Sequence, residues 1–405
     1  MTLVVASNAI PEIPIMFSDC LTSSLEYKEE NKETEIPSKT YQHEDHPIEL
    51  FGTITGLRRK MCIVRPNLVI GWSGTMAWAE IFYKKLEIEL SKNEYDNKYD
   101  EAINFVYNEY KSDFERDEDE RLGLDIIYIF VKGDGTIING QHGCNIKKGI
   151  SNRYGHCRAI GSGAKSFIDN LSSNLYEDNP VHLVNDIDSD NEISKMRKIA
   201  FDALYLTYNA FGQEYFDNQS SSLYDYYGGM YETIIYNREL KAFEYVDDIQ
   251  VNFTALEQYA PNQYRDWAEP MFYETIRKDG ELIMDRFSKE SRHASKTDFF
   301  FKDGYILKRK SFVAANIGND CGKSNSSLGK ISVMYVFLEK SQSTFKFGTY
   351  IHFSDGKHHF TKNQKAMNGR KMFFTQAGGS RKKDIEKIIT SFNFAITGQL
   401  PPGCR

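Results

Sequence analysis

Two pairs of amphipathic helix signals separate three blocks of strand signals, and each helix has a single apolar stripe to bury. Thr75 to Lys92 carries Trp78, Phe82, Leu86 and Leu90 at spacings of four, and Tyr99 to Phe114 carries Ile103, Val106, Tyr107, Tyr110 and Phe114. The second pair follows Gly161-Ser162-Gly163. It places Phe167, Ile168, Leu171 and Leu175 on one helix, and Met196, Ala200, Ala203, Leu204 and Thr207 on the next, from about Ile193 to Phe211. Strand signals come first at residues 3–6, 13–17, Lys60 to Val64 and Asn67 to Trp72. They return at Ile126 to Val131, at Thr136 to Ile138 after an Asp134-Gly135 turn, and in a strand ending at Ala159-Ile160. Gly229 to Tyr236 and Ala242 to Val246 form the last block. Two sheets packed face to face, with a helix pair outside each, satisfy this order because every stripe then has a surface to cover. The predicted class is α/β (α+β), a four-layer αββα sandwich.

Past residue 248 the pattern changes. Helical character is expected to persist from about 250 to Lys289. Phe299 to Lys308 with its Asp303-Gly304 turn, Ile331 to Leu338, Phe345 to Phe353 and the Asp355-Gly356 turn read as hairpins, capped by a helix over Lys382 to Phe392. A chain of 405 residues is long for one domain. The predicted division is a unit over 1–248, with a polar, acidic surface insertion at about 21–50, and a basic α+β module over 249–405. Charge follows that division: residues 1–290 hold 30 Lys and Arg against 50 Asp and Glu, whereas residues 291–405 hold 20 against 7. Such a split either lets the basic part dock on the acidic part of its own chain or marks a surface for another partner. Nucleic acid is the sharper possibility, because Phe299 to Phe301, Phe312, Phe345 and Phe347 interleave with Lys308, Arg309, Lys310 and Arg381 to Lys383.

The longest apolar run, Leu124 to Val131, is interrupted by Asp125 and is far short of the ~20 residues that span a bilayer. No membrane segment is expected. The first seventeen residues contain Glu12 and no Lys or Arg, unlike a secretion signal. Six scattered cysteines lack a framework spacing, so a cytoplasmic location is expected.

The residue with most chemical promise is Thr2. Loss of Met1 would leave a nucleophilic hydroxyl and an α-amine titrating near ~8 within one residue, a minimal catalyst. Other constellations carry less. His142, Cys144, His156 and Cys157 offer zinc ligands, but adjacent strand residues point to opposite faces. Asp186, Asp188 and Asp190 begin like a calcium loop without its glycine. Cys20 has no implied base. No metal and no cofactor is expected.

Thr2 has partners in a recognisable order: Asp19 closing the second strand, Lys60 opening the next, and Gly74 between Ser73 and the helix at Thr75. Ala159-Ile160-Gly161-Ser162-Gly163-Ala164 stands at a strand-to-helix junction, and Tyr224-Asp225-Tyr226-Tyr227-Gly228-Gly229 follows later. Together these resemble the N-terminal nucleophile hydrolases of the proteasome β-subunit and HslV type, over residues 2 to about 245. The resemblance implies that Thr2 is the nucleophile and its own amine the base. It implies that Lys60 lowers nearby pKa values and is held by Asp19, that the Gly74 amide faces the oxyanion, and that Ser162 bonds the amine. Asp225 would be accessory. It further implies peptide-bond (amide) hydrolysis, a peptide or protein substrate lying extended beside strand edges, and homo-oligomeric assembly. The chain departs from the family pattern at Leu3, where a second Thr is frequent. Asp225 stands three rather than four residues before the glycine pair, and Tyr227 stands where the family has Ser. A catalytically inactive protein of the same fold, used for binding or assembly, is the alternative. Arg59 is the alternative to Lys60.

Overall fold

The computed structural model describes residues 2–10, 13–24, 33–38, 40–42, 53–92, 95, 97–114, 123–151, 155–172, 192–216, 227–260, 263–289, 307–322, 326–340 and 344–354. In chain order the first elements are β1 (Val4–Ile10), β2 (Ile13–Asp19), β3 (Leu21–Ser24), β4 (Glu33–Glu35), β5 (Thr40–Gln42), β6 (Thr53–Leu57), β7 (Met61–Arg65) and β8 (Leu68–Gly74). Three helices, α1 (Met76–Leu90), α2 (Tyr99–Glu109) and the short α3 (Lys111–Phe114), precede β9 (Leu124–Val131), β10 (Ile137–His142), β11 (Lys147–Ser151) and β12 (Gly155–Ile160). Then come α4 (Ala164–Ser172), α5 (Glu192–Phe216), β13 (Tyr231–Asn237) and β14 (Ala242–Tyr245). Six strands follow: β15 (Ile249–Ala260), β16 (Gln263–Lys278), β17 (Glu281–Lys289), β18 (Leu307–Ala314), β19 (Lys330–Lys340) and β20 (Thr344–Ser354).

The strands form a six-stranded sheet in the order β11-β12-β1-β2-β13-β14, a four-stranded sheet β10-β9-β8-β7 and a third sheet β18-β17-β16-β15-β19-β20. Two small ribbons, β3-β6 and β4-β5, are also present among the described residues. Among the described strands, pairing is antiparallel except between β15 and β19. The class is thus mixed α and β, with several antiparallel sheets and few helices.

Strand alternation sorts the core. Met16 and Val4 of the first sheet share an apolar cluster with Met61, Ile63, Val69, Ile127 and Ile129 of the second. The opposite face of the second sheet, Ile70, Trp72, Ile126, Tyr128 and Phe130, packs with Phe82, Leu86, Ile103 and Val106 of α1 and α2. The opposite face of the first, Val5, Ile15 and Phe17, packs with Phe167 of α4 and with Met196, Ala203 and Leu204 of α5. Strands covered on both faces need continuous apolar sequence, which explains why β2 and β9 are buried along their whole length. The cluster around α5 continues into Val251, Phe253, Tyr273, Leu282 and Met284 of the third sheet. There Phe211 meets Phe253 and Tyr273 with ring centroids 5.1 and 5.2 Å apart.

Two expectations are corrected. Residues 250–289 are three strands, not helix. Val251 and Phe253, Tyr273 and Thr275, and Leu282 and Met284 are buried at a period of two, which outweighs the helix-favouring Glu, Gln and Lys between them. Asp279 and Gly280 join β16 to β17 with φ of 53° and 79°, the left-handed pair of a tight hairpin. The described part of 249–405 is therefore a sheet, and Lys382 to Phe392 lies outside the described residues. The stretch at 21–50 is also more than a surface insertion. Leu21, Ile36 and Ile54 form their own buried cluster, and Ser38 donates to the buried Glu214 at 3.0 Å. Glu35 pairs with Arg286 and Lys310 of the third sheet, so the acidic segment is anchored by the basic one. Among the described residues, no helix is long and apolar enough to cross a membrane.

Candidate active site

Asp19 organises the site. It ends β2, where its amide donates to the Leu3 carbonyl at 3.0 Å, and its carboxylate is completely buried. Oδ1 accepts from the Leu3 amide at 2.8 Å and from Lys60 Nζ at 3.1 Å. Oδ2 accepts from the Leu21 amide at 3.0 Å, the Gly228 amide at 2.9 Å and Lys60 Nζ at 3.2 Å. A buried carboxylate is tolerable only when saturated in this way. The same carboxylate joins the start of the chain to a buried ammonium.

Lys60 lies just before β7, its carbonyl accepting from the Trp72 amide at 3.0 Å. Its ammonium also donates to the Leu21 carbonyl. Burial pushes the Lys60 pKa down from the ordinary lysine value, against the upward pull of Asp19. Arg59 is directed elsewhere, to Glu232 and Asp320, so between the two candidates only Lys60 meets Asp19.

Thr2 is buried, and its amide donates to Ser162 Oγ at 3.2 Å while its carbonyl accepts from the Gly163 amide at 3.2 Å. The junction between β12 and α4 can approach this closely because Gly161 has φ of +97° and no Cβ. One added there would stand 2.6 Å from the Thr2 carbonyl carbon and 2.9 Å from its Cβ. Thr2 is thus bonded directly to Ser162, and Lys60 directly to Asp19, while the two pairs are joined through Leu3, the neighbour of Thr2 whose amide bonds Asp19. Gly74 ends β8 opposite Leu124, on the strand that crosses β1 at Gly71 and Val4. Beside it, Ser73 donates to Asp125 Oδ2 at 3.4 Å, and Asp125 Oδ1 accepts from the Cys144 and Asn145 amides. Burial raises the Asp125 carboxyl above its usual range, offset by those donors. Asp225 lies outside the described residues. Tyr227 is buried, its ring packed where a Cβ on Gly163 would be.

Sequence reasoning missed Glu214. Its Oε2 accepts from Ser38 Oγ and, at 2.9 Å, from the Gly229 amide, and its Oε1 accepts from Tyr231 Oη at 2.8 Å. It thereby holds the Gly228-Gly229 turn whose first amide bonds Asp19. The signal was its spacing: Thr207, Phe211 and Glu214 fall on one helical stripe, which puts a carboxylate among core residues.

The remaining candidates are dispersed. Burial, with the charges of Glu232 and Asp19, pushes the Cys20 thiol well above its ordinary pKa, leaving a poor nucleophile. Cys157 is buried against Ser7 while His156 is exposed, and His142 stacks on Tyr107 at 4.6 Å. Among the described residues, no three His, Cys, Asp or Glu side chains are grouped to hold a metal. Of the basic triplet, Arg309 pairs with Asp285 at 2.5 Å and Lys310 with Glu35, so two of its three charges already have acidic partners.

No family model matches the chain. No curated protein matches it. Among solved structures, the eukaryotic HslV from Trypanosoma brucei is similar at 16% identity and a TM-score of 0.29, over 58% of this chain and 98% of that one.

Proposed function

We propose that this chain is an N-terminal threonine hydrolase of the proteasome and HslV type, cleaving peptide (amide) bonds after removal of Met1. In this proposal residues 1–248 form a four-layer αββα sandwich, and residues 249–405 form a second, basic unit. The observation that carries the proposal is the Asp19 carboxylate, one oxygen of which holds both the Leu3 amide, next to Thr2, and the Lys60 ammonium.

In the proposed reaction the Thr2 hydroxyl oxygen bonds to the substrate carbonyl carbon, and its proton passes to the freed α-amine of the same residue. Lys60, kept charged by Asp19, lowers the cost of ionising that hydroxyl. The Gly74 amide receives the oxyanion, a contribution of about 3 kcal/mol in comparable sites. Collapse breaks the carbon–nitrogen bond, and the leaving amine takes the proton from the Thr2 amine. The acyl group stays on Thr2 as an ester. Water then adds to that ester, giving a proton to the same amine, and the acid departs as the hydroxyl is restored. Ser162, already bonded to the Thr2 nitrogen, orients the amine throughout. Asp225 is assigned an accessory role, and the substrate is an extended peptide or protein segment.

A second reading is favoured by Tyr227, whose large buried ring stands where the family has a serine hydroxyl. In that case the same fold is catalytically silent and serves binding or assembly. A threonine-directed β-lactone distinguishes them. Labelling and peptide turnover by wild type, both absent in Thr2→Ala, support hydrolysis. A chain beginning at Thr2 that neither labels nor turns over peptides supports the silent reading.

A further inference from the structure

Arg59 is fully buried, and all five of its N–H groups have partners. Nε donates to Glu232 Oε2 at 2.9 Å; Nη1 donates to Asp320 Oδ2 at 2.7 Å and to the Gly280 carbonyl at 2.5 Å. Nη2 donates to Tyr245 Oη at 2.6 Å and to the Met61 carbonyl at 3.4 Å. Tyr245 Oη in turn donates to Asp320 Oδ2 at 2.7 Å. Glu232 belongs to β13 of the first sheet and also meets Arg277 of β16 at 3.4 Å. Gly280 and Asp320, by contrast, come from the turn between β16 and β17 and from the segment after β18, both beyond the part of the chain that resembles the hydrolase family.

The backbone around Arg59 is gripped from the same two directions. The Arg58 amide donates to the Cys20 carbonyl at 2.7 Å, one residue from Asp19, and the Arg59 amide donates to the Ala315 carbonyl at 3.0 Å. Lys60 leaves this short segment towards Asp19, while Arg59 leaves it towards Asp320. Any shift of the guanidinium that the packed Arg59 side chain does not absorb by rotation passes to the backbone it shares with Lys60, the next residue. The Lys60 ammonium, fixed by distances of 3.1 and 3.2 Å to one carboxylate, has little freedom to compensate.

We propose that Arg59 is a positioning residue for Lys60 and that the C-terminal sheet, through Asp320 and the Gly280 carbonyl, holds it in place. The extra module thereby completes the site without contacting substrate. This inference rests on the threonine-hydrolase reading for its consequence in rate, but not for its effect on Lys60 itself.

The test compares three full-length variants with wild type. Asp320→Asn removes one of the two carboxylate charges paired with Arg59, the one from beyond β18, while keeping the side-chain shape. Tyr245→Phe removes the hydroxyl that bonds Arg59, Asp320 and, at 3.3 Å, the Ile63 amide of β7, and serves if Asp320→Asn does not fold. Asp285→Asn disturbs another buried acid of the same sheet, one bonded to Arg309 and Ser311 rather than to Arg59. Rates of Thr2 labelling by the β-lactone are measured across pH, alongside the titration of Lys60 by its 15Nζ resonance. The expected result is a labelling rate lower by on the order of tenfold to a hundredfold in Asp320→Asn, as for a reacting group displaced by about 1 Å. A changed pH profile, a displaced Lys60 titration and a smaller shift of the same kind in Tyr245→Phe should accompany it, with Asp285→Asn matching wild type. A wild-type rate and profile in folded Asp320→Asn, or in Tyr245→Phe if that is the variant assayed, overturns the inference. So does an equal loss in Asp285→Asn. If wild type itself does not label, the hydrolase reading fails, and the Lys60 resonance decides the positioning role alone: moved by Asp320→Asn but not Asp285→Asn, it stands; unmoved, it falls.

Discussion

Replacing Gly161 by Ala should damage the site in a way that Gly135→Ala does not. Both glycines have positive φ, +97° and +86°, so both substitutions carry backbone strain of ~1–3 kcal/mol. Nothing lies within 4 Å of a Cβ on Gly135, whereas a Cβ on Gly161 would stand 2.6 Å from the Thr2 carbonyl carbon. Forcing atoms into a filled space costs a further ~1–3 kcal/mol, so the expected totals are about 2–6 kcal/mol for Gly161→Ala and about 1–3 kcal/mol for Gly135→Ala. Relief requires the 161–163 turn to withdraw from Thr2, which stretches the 3.2 Å bonds to Ser162 Oγ and from the Gly163 amide. Urea unfolding monitored by tryptophan fluorescence gives the two stabilities at a common slope, and β-lactone labelling gives the state of Thr2. Gly161→Ala should unfold at lower urea than Gly135→Ala and label far more slowly. Equal midpoints, or wild-type labelling by Gly161→Ala, would refute the close packing of this turn on Thr2 as the reason for its glycine.

Three further outcomes are expected. Asp19→Asn leaves the Lys60 ammonium buried without its counter-charge and should cost ~3–5 kcal/mol in urea unfolding; adding Lys60→Met should return a large part of that, and strictly additive losses would contradict the coupling. Burial raises the Asp247 carboxyl to about 7, with Arg277 opposing. Between its ordinary value of ~3.9 and that pH the folded chain therefore holds a proton that the unfolded chain has released. Stability from this group is fully present below that window and lost as pH rises through 7, so thermal midpoints should fall from pH 5 to pH 8, and Asp247→Asn should flatten that slope. Changing Lys308, Arg309 and Lys310 together to Ser should leave retention of polynucleotide in a gel-shift assay unchanged, because Arg309 and Lys310 are already paired with Asp285 and Glu35; a salt-sensitive loss of binding would restore the nucleic-acid possibility.

Much of this architecture is written locally. Phe82, Leu86 and Leu90 recur at helical spacing and are buried as expected, and Ile126 to Val131 alternate between two clusters as a doubly covered strand must. Asp19, Lys60 and Ser162 were legible as candidates through the resemblance to the N-terminal nucleophile hydrolases, which rests on their order at the ends of successive elements. What failed lies in long strands whose polar positions are helix formers. In β15 and β16 the period of two is carried by few residues, and a local sign against a helix is the Asp279-Gly280 pair between β16 and β17. The Arg59 network was not legible, because its side-chain partners are 173 to 261 residues away; the helical stripe marks Glu214 as facing the core but not its bond to Ser38, 176 residues away. No local pattern encodes such pairings. The fate of the acidic stretch at 21–50 was hidden for the same reason, since Glu35 pairs with Arg286 of β17 and Lys310 of β18, which are remote in sequence.

The most direct measurement is mass spectrometry of the mature protein before and after exposure to the β-lactone. Cleavage at the amide bonds of peptides by the proposed route requires a chain beginning with Thr2 and an adduct on the Thr2 hydroxyl that Thr2→Ala lacks. Retained Met1, or an adduct on Cys20 or any other residue with Thr2 unmodified, would contradict it.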